Sequence, residues 1–304
     1  MAPCTKATNN ILEIDLQNGV ATEIATGQTL SGSVRFIGGC LGSDGKIYYP
    51  PRDFNKVLIA DPANASYTVQ DWGLTLTGGV YTSAVSCDDK IYAIGDADIL
   101  VIDVQANTAY TSTFGVLSGT VANRQVSGVR SIADGCVYFG PYANTHVLRI
   151  DPVSNTVSSS NYGVSFGSQA TQGIANGKNG WIYMPQHNNG ANWKFDPVGN
   201  VATTVAGSST KTVGATTGPD GNVYCHAFNN SNWIDVTANV GTNSPSFMPN
   251  GIQRWGGLYA HGKIWTFPDT TGNTHVVPTI VEGTGVSSDW SSNISLSGYF
   301  NREK

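Results

Sequence analysis

Asp44-Gly-Lys-Ile-Tyr48, followed by Val57-Leu-Ile-Ala-Asp-Pro62, is the stretch that decides the fold. Asp-Gly supplies the positive φ of a tight hairpin turn. Ile47 and Tyr48 are the β-branched and aromatic types that favour a strand. The run from Val57 to Ala60 reads as a second, buried strand. Asp-Pro stops it, because proline has no N–H for the ladder.

Both motifs recur. The first returns as Asp88-Asp-Lys-Ile-Tyr92, Asp134-Gly-Cys-Val-Tyr138, Asn179-Gly-Trp-Ile-Tyr183, Asp220-Gly-Asn-Val-Tyr224 and His261-Gly-Lys-Ile-Trp265. The second returns as Ile99-Leu-Val-Ile-Asp-Val104, Val147-Leu-Arg-Ile-Asp-Pro152 and Asn192-Trp-Lys-Phe-Asp-Pro197, with weaker copies at Asn232-Trp-Ile-Asp-Val236 and His275-Val-Val-Pro-Thr-Ile280. Successive hairpins are 44, 46, 45, 41 and 41 residues apart. Short polar segments such as Ser66-Tyr-Thr-Val69 read as the outer strand of each unit. Small residues precede each hairpin: Gly38-Gly-Cys40, Thr82-Ser-Ala84, Gly173-Ile-Ala175 and Gly214-Ala-Thr216. Small side chains fit where strands crowd one axis. A four-stranded unit with a period in the low forties therefore predicts an all-β fold, a β-propeller.

The termini complement each other. Ile11-Leu-Glu-Ile-Asp-Leu16 is a third-strand motif with no hairpin motif before it. Ile294-Ser-Leu-Ser-Gly-Tyr-Phe300 reads as an inner strand with no partner after it. The expected organisation is one domain over 1–304, with repeats at about 32–75, 76–120, 121–165, 166–207, 208–249 and 250–290. Residues 1–31 with 291–304 would then complete a closing blade, hiding both sheet edges. Seven blades are expected. Six follow if one terminal segment is an added edge strand.

These motifs resemble the sensor-type propeller repeats of NHL-like, streptogramin-lyase-like and YVTN-type proteins. The resemblance implies a fold shared by enzymes, lectins, scaffolds and virus surface modules. Similarity to streptogramin-type lyases would imply metal-assisted elimination by His and Glu near the top of the channel. Glu occurs here only at 13, 23, 282 and 303, and no His-x-Glu pair occurs.

Composition excludes several classes. Charged residues are 12% and the net charge is −5, without a Lys/Arg cluster, so no nucleic-acid groove is expected. No apolar run is long enough for a membrane span. The five cysteines, Cys4, Cys40, Cys87, Cys136 and Cys225, are dispersed without a Cys-x-x-Cys pair, which predicts neither a disulfide framework nor a zinc site. Met1-Ala-Pro-Cys-Thr-Lys6 has no apolar core behind it, so synthesis in the cytosol without a signal peptide is expected. Nucleophile-elbow, phosphate-loop and dinucleotide signatures are missing, and no cofactor is expected.

In a propeller the loops joining second to third strands share one face with the between-blade connectors. The hairpins lie on the other. The loop face collects the candidate binding residues Arg52, Asp53, Tyr142, Asn144, His146, His187, Asn188, Asn189, Trp193, His226, Asn229, Asn230, Trp233, Asp269 and His275. His146, His187, His226 and His275 come from different blades without a local pair, so they are not assigned to a metal. Asn188 to Trp193 and Asn229 to Trp233 permit a sugar-binding reading, amides bonding hydroxyls and indoles stacking on the ring. Asp61, Asp103, Asp151, Asp196 and Asp235 are read as turn formers.

The leading expectation is a non-enzymatic binding or structural propeller, in its specific form a phage or virus particle surface protein: a capsid decoration or tail-associated module. Protein partners in a larger assembly are expected, with glycans as a further partner class. The alternatives are a metal-assisted lyase or hydrolase using the loop face, and a carbohydrate-binding propeller.

Overall fold

A computed structural model describes residues 2–3, 9–15, 20–30, 36, 38–76, 81–96, 98–112, 127–141, 145–166, 171, 173–186, 192–205, 212–218, 221–227, 233–235, 253–260, 263–269, 281–282 and 285–286. Every regular element among them is a strand.

The N-terminal sheet holds β1 (Ala2–Pro3), β2 (Asn10–Asp15) and β3 (Val20–Ala25). Four complete four-stranded sheets follow. Blade 1 holds β4 (Cys40–Leu41), β5 (Ile47–Tyr49), β6 (Val57–Asp61) and β7 (Ser66–Gln70). Blade 2 holds β8 (Ser83–Cys87), β9 (Lys90–Ile94), β10 (Ile99–Asp103) and β11 (Thr108–Ser112). Blade 3 holds β12 (Gly128–Arg130), β13 (Val137–Phe139), β14 (Val147–Asp151) and β15 (Thr156–Ser160). Blade 4 holds β16 (Ala175–Asn176), β17 (Ile182–Met184), β18 (Asn192–Asp196) and β19 (Val201–Val205). Within each blade neighbours in sequence pair antiparallel. Then come β20 (Thr212–Thr217), β21 (Val223–Ala227) and β22 (Trp233–Asp235) in one sheet, called blade 5. The pairs β23 (Gln253–Ala260) with β24 (Lys263–Asp269) and β25 (Val281–Glu282) with β26 (Gly285–Val286) end the described strands.

The first strands of successive units lie side by side: β4 against β8, β8 against β12, β12 against β16, β16 against β20 and β20 against β23. That is the inner ring expected of the small-residue strands. Gly173 shows why they are small: a Cβ there would fall 2.4 Å from the backbone of Gly214 and Ala215 in blade 5. Only a glycine lets the two backbones meet so closely.

The core lies in layers between blades. Strand residues alternate between faces, so each strand feeds two layers. In blade 2, Tyr92, Ile94, Ile99 and Val101 face Val137, Phe139, Leu148 and Ile150 of blade 3. Their neighbours Ile91, Ala93, Leu100 and Ile102 pack towards Tyr48 and Val57 of blade 1. Similar layers join blade 3 to blade 4 and blade 4 to blade 5. Each fully buried aliphatic or aromatic side chain in such a layer contributes about 1.5–3 kcal/mol.

Ile11 and Ile24 of the N-terminal sheet pack against Tyr49, Leu58 and Tyr67 of blade 1. The third-strand reading of Ile11 to Asp15 thus has its blade. The structure adds β1, which pairs Ala2 with Leu12 and Pro3 with Ile11 along the side of β2 away from β3. Ile294 to Phe300 lie outside the described residues, and so does ring closure.

The turns recur with the blades. Gly45, Gly135, Gly180 and Gly221 take the expected positive φ, between 74° and 81°. Asp61, Asp103, Asp151 and Asp196 accept backbone N–H bonds two or three residues on and so shape the third-to-fourth-strand turns. Asp235 breaks the expectation. It pairs with Tyr224, the position that Ile59, Val101, Arg149 and Lys194 hold opposite their tyrosines. It therefore lies in the strand, two residues short of the turn position. Register is set by ladder pairing, which a shared Asp cannot reveal.

Candidate functional site

The loop face is built from the second-to-third-strand loops and the connectors that enter each blade. In blade 1 that loop runs over residues 50–56. Pro50 and Pro51 bring no N–H to satisfy. Arg52 follows, half-buried, with its Nε 3.9 Å from Asp53 Oδ1. That is too long for a hydrogen bond, and this buried Nε has no hydrogen-bond partner among the described residues. Phe54 is buried and meets Phe36 edge-on.

Blade 2 turns more sharply, with Gly95 N–H donating to Asp98 O at 2.9 Å. One oxygen of Asp96, Oδ1, is buried there without a hydrogen-bond partner among the described residues. Tyr81, 1% exposed, ties the two loops together. Its N–H donates to Pro51 O at 3.1 Å and its hydroxyl to Asp98 Oδ1 at 2.7 Å. Burial, then the bond to Asp98, hold the Tyr81 phenol far above its ordinary range.

Blade 3 repeats the connector device: Thr171 N–H donates to Pro141 O at 3.0 Å. His146 is half-buried beside β14, its Nδ1 3.0 Å from the Thr145 hydroxyl.

Blade 4 departs from the pattern. Its counterpart of Pro51 and Pro141 is Gln186, which has an N–H to satisfy. Its counterpart of the buried Val57 and Val147 is Asn192, whose Oδ1 accepts that N–H at 3.0 Å. The two substitutions compensate each other. Asn192 is 3% exposed and its Nδ2 has no hydrogen-bond partner among the described residues.

The other predicted residues distribute unevenly. Trp193 is half-buried in β18, edge-on to Phe166 with ring centroids 5.4 Å apart. His226 and Trp233 pair with each other in β21 and β22, so both are strand residues at the border of a loop. Asp269 ends β24, opposite Gln253, and is a strand residue too. Tyr142, Asn144, His187, Asn188, Asn189, Asn229, Asn230 and His275 lie outside the described residues. Sequence reasoning missed Tyr81, and for Asn192, inside the Asn188-to-Trp193 stretch, it missed the burial. For Asn192 there was a signal: a polar residue where three aligned motifs carry Val, Ile and Val.

Among the described residues no group of three His, Cys, Asp or Glu side chains is placed to hold a metal ion. Cys40, Cys87 and Cys136 are free thiols. Burial pushes the Cys40 and Cys136 thiols up to about 12. No described helix is long and apolar enough to cross a membrane.

No protein-family model and no curated protein matches the chain. Solved structures do. A streptogramin B lyase superposes with TM-score 0.64 at 13% identity, over 85% of this chain and 83% of that one. A catalytically inactive histidine-to-alanine variant of virginiamycin B lyase from Staphylococcus aureus, solved with quinupristin, gives 0.64 at 12%, over 86% and 85%. The extracellular domain of a protein described as a one component system in Bacteroides thetaiotaomicron gives 0.60 at 12%, over 86% of this chain but 37% of that one. At such identities the likeness establishes the fold. The chain is an all-β propeller built from four-stranded antiparallel repeats, and it resembles lyase and sensor propellers in architecture.

Proposed function

We propose that this chain is a non-enzymatic binding propeller that works through its loop face within a larger assembly. One observation carries the reading. Five buried side-chain atoms lack a hydrogen-bond partner among the described residues, and three of them, Arg52 Nε, Asp96 Oδ1 and Asn192 Nδ2, belong to second-to-third-strand loops or their borders. An unsatisfied buried polar group costs about 1–3 kcal/mol. Gathering that cost on one face fits a surface that a partner completes. On the hairpin side the carboxylates of Asp44, Asp61, Asp103, Asp134, Asp151 and Asp196 are engaged in shaping turns.

The specific form we propose is a surface protein of a phage or virus particle, a capsid decoration or tail-associated module with protein partners. Its Gly-, Asn-, Ser- and Thr-rich, lysine-poor sequence is of the kind displayed outside cells. Density-gradient fractionation of the native source tests this. The chain is expected to travel with nucleic-acid-containing particles. Recovery as a free protein with chelator-sensitive turnover, and with a divalent metal near His187 or His226, would overturn it in favour of a lyase or hydrolase.

A further inference from the structure

We propose that the outer edge of blade 2 pairs with the same edge of a second copy of this chain, β11 against β11 across a two-fold axis at Tyr110. The proposal concerns the rim of the propeller and stands apart from the loop-face reading. Three features carry it.

The first is that the rim lacks the usual guards against edge pairing. β7, β11, β15 and β19 are each the last strand of their sheet. Such a strand offers a row of main-chain N–H and C=O groups, and proteins blunt it with charges, proline or bulges. Ser66-Tyr-Thr-Val-Gln70, Thr108-Ala-Tyr-Thr-Ser112, Thr156-Val-Ser-Ser-Ser160 and Val201-Ala-Thr-Thr-Val205 hold no charged residue and no proline. Each pairs inward over five consecutive residues without a bulge. The N-terminal sheet is built otherwise: its last strand, β3, exposes Glu23.

The second feature singles out β11. In β7 the Tyr67 carbonyl accepts the Gln28 amide at 3.0 Å, and the Tyr67 side chain is buried. β15 ends in three serines. β19 has Thr203 at its centre, with its exposed Val201 at one end. β11 alone carries a large side chain exposed at its centre, Tyr110, which is 41% exposed.

The third is self-complementarity. A two-fold interface uses the same patch on both copies, so an antiparallel strand meeting its own copy is paired about one central residue. Centring on Tyr110 sets that ring opposite its copy and Ala109 opposite Thr111. Aromatic pairs across strands are favourable, and no like charges are opposed. That matters for a chain of net charge −5. Asp103 lies opposite Thr108 in β10, so the Asp103 carboxylates of the two copies fall at opposite ends of the pair. The two four-stranded blades become one continuous sheet. The contact is small, so it is weak between free chains and gains by multiplicity where many copies are held side by side.

Sedimentation equilibrium of the full chain over a concentration series tests this. The average mass is expected to climb towards that of two chains. Tyr110→Lys sets two cations opposite each other and should weaken association on the order of 10-fold. Val201→Lys, the same charge change on β19, should leave it unchanged. Oxidative cross-linking reads the register, with the parent chain as the background. Tyr110→Cys should give a disulfide-linked dimer, because the two copies of that position meet at the axis. Thr108→Cys should not, since its two copies lie about 14 Å apart, beyond the reach of a disulfide. All three positions are exposed, and thermal melts matching the parent confirm folding. A chain that stays monomeric throughout would overturn the proposal. So would equal weakening by Tyr110→Lys and Val201→Lys, or cross-linking at position 108 as readily as at 110. A monomer whose β11 amides gain protection from hydrogen exchange only on addition of another protein would overturn it too, in favour of an extended strand from that protein.

Discussion

Blade 2 and blade 3 carry nearly the same hairpin motif, yet use its aspartate differently. In blade 3, Asp134 accepts the Cys136 N–H at 3.2 Å and the Tyr138 hydroxyl at 2.8 Å. Blade 1 repeats this, with Lys46 N–H and the Tyr48 hydroxyl both at 3.1 Å from Asp44. Blade 4 reaches the same geometry with Asn179, whose amide donates to the Tyr183 hydroxyl. In blade 2 the ladder closes with Cys87 opposite Lys90, leaving only Asp88 and Asp89 in the turn. Asp88 sits at φ +52° and turns away from the blade, making a forked pair with Arg130 of blade 3 at 2.8 and 3.1 Å. Tyr92 is fully buried and its hydroxyl has no hydrogen-bond partner among the described residues. A shorter turn thus converts a bond within a blade into a staple between blades. Residue type is not role: turn length decides where the carboxylate points.

The contrast is open to substitution, and the largest effect is expected at Asp134. Asp134→Ala should lower unfolding stability in urea by about 2 kcal/mol, because it takes the acceptor from the buried Tyr138 hydroxyl, which keeps only the bond it accepts from Arg149 Nε at 3.1 Å. The acid limb should change with it. Burial pushes the Asp134 carboxyl up, but bonds from Ser131, Tyr138 and Cys136 outweigh it and hold it below its usual value. A lowered folded value means the contribution is present above the unfolded pKa of about 3.9 and is lost as pH falls through the folded one. Urea midpoints measured from neutral pH downwards should therefore fall less steeply in Asp134→Asn than in the parent; identical slopes would refute the assignment.

The tyrosines come next. Tyr138→Phe should cost about 1 kcal/mol, whereas Tyr92→Phe should be neutral or stabilise by a similar amount. Equal losses at both sites in thermal melts would erase the distinction drawn between the blades. Asp88→Ala should cost less, at most about 1 kcal/mol, because the Asp88–Arg130 pair is exposed and water-screened. The loss should shrink further in high salt.

The smallest effect lies in another turn. Ala65 takes φ +48° where Asn107, Asn155 and Asn200 serve the other blades. Left-handed backbone disfavours alanine more than asparagine or glycine. Ala65→Asn or Ala65→Gly should raise the melting temperature slightly, by roughly 0.5 kcal/mol of stability. A fall would show that the Ala65 methyl packs against something.

Much of this was legible in the sequence. The hairpin glycines, the Asp-Pro stops and the small inner strands follow from local backbone preferences, which each residue carries with it. The Asp-to-Tyr bond was half-legible, since the two residues keep a constant separation of four. For the loop face, the sequence picked out Arg52 and Asp53 as polar loop residues but passed over Tyr81 and the burial of Asn192.

By itself, then, the sequence determined the four-stranded unit, its turns and the order of its strands, because those rest on interactions between residues close along the chain. Tertiary structure alone decided the register that moved Asp235 into a strand, the staple from Asp88 to Arg130, and the seam where Tyr81 joins two blades. Each depends on residues brought together from different strands or blades, and local preference says nothing about which distant partner a side chain will meet.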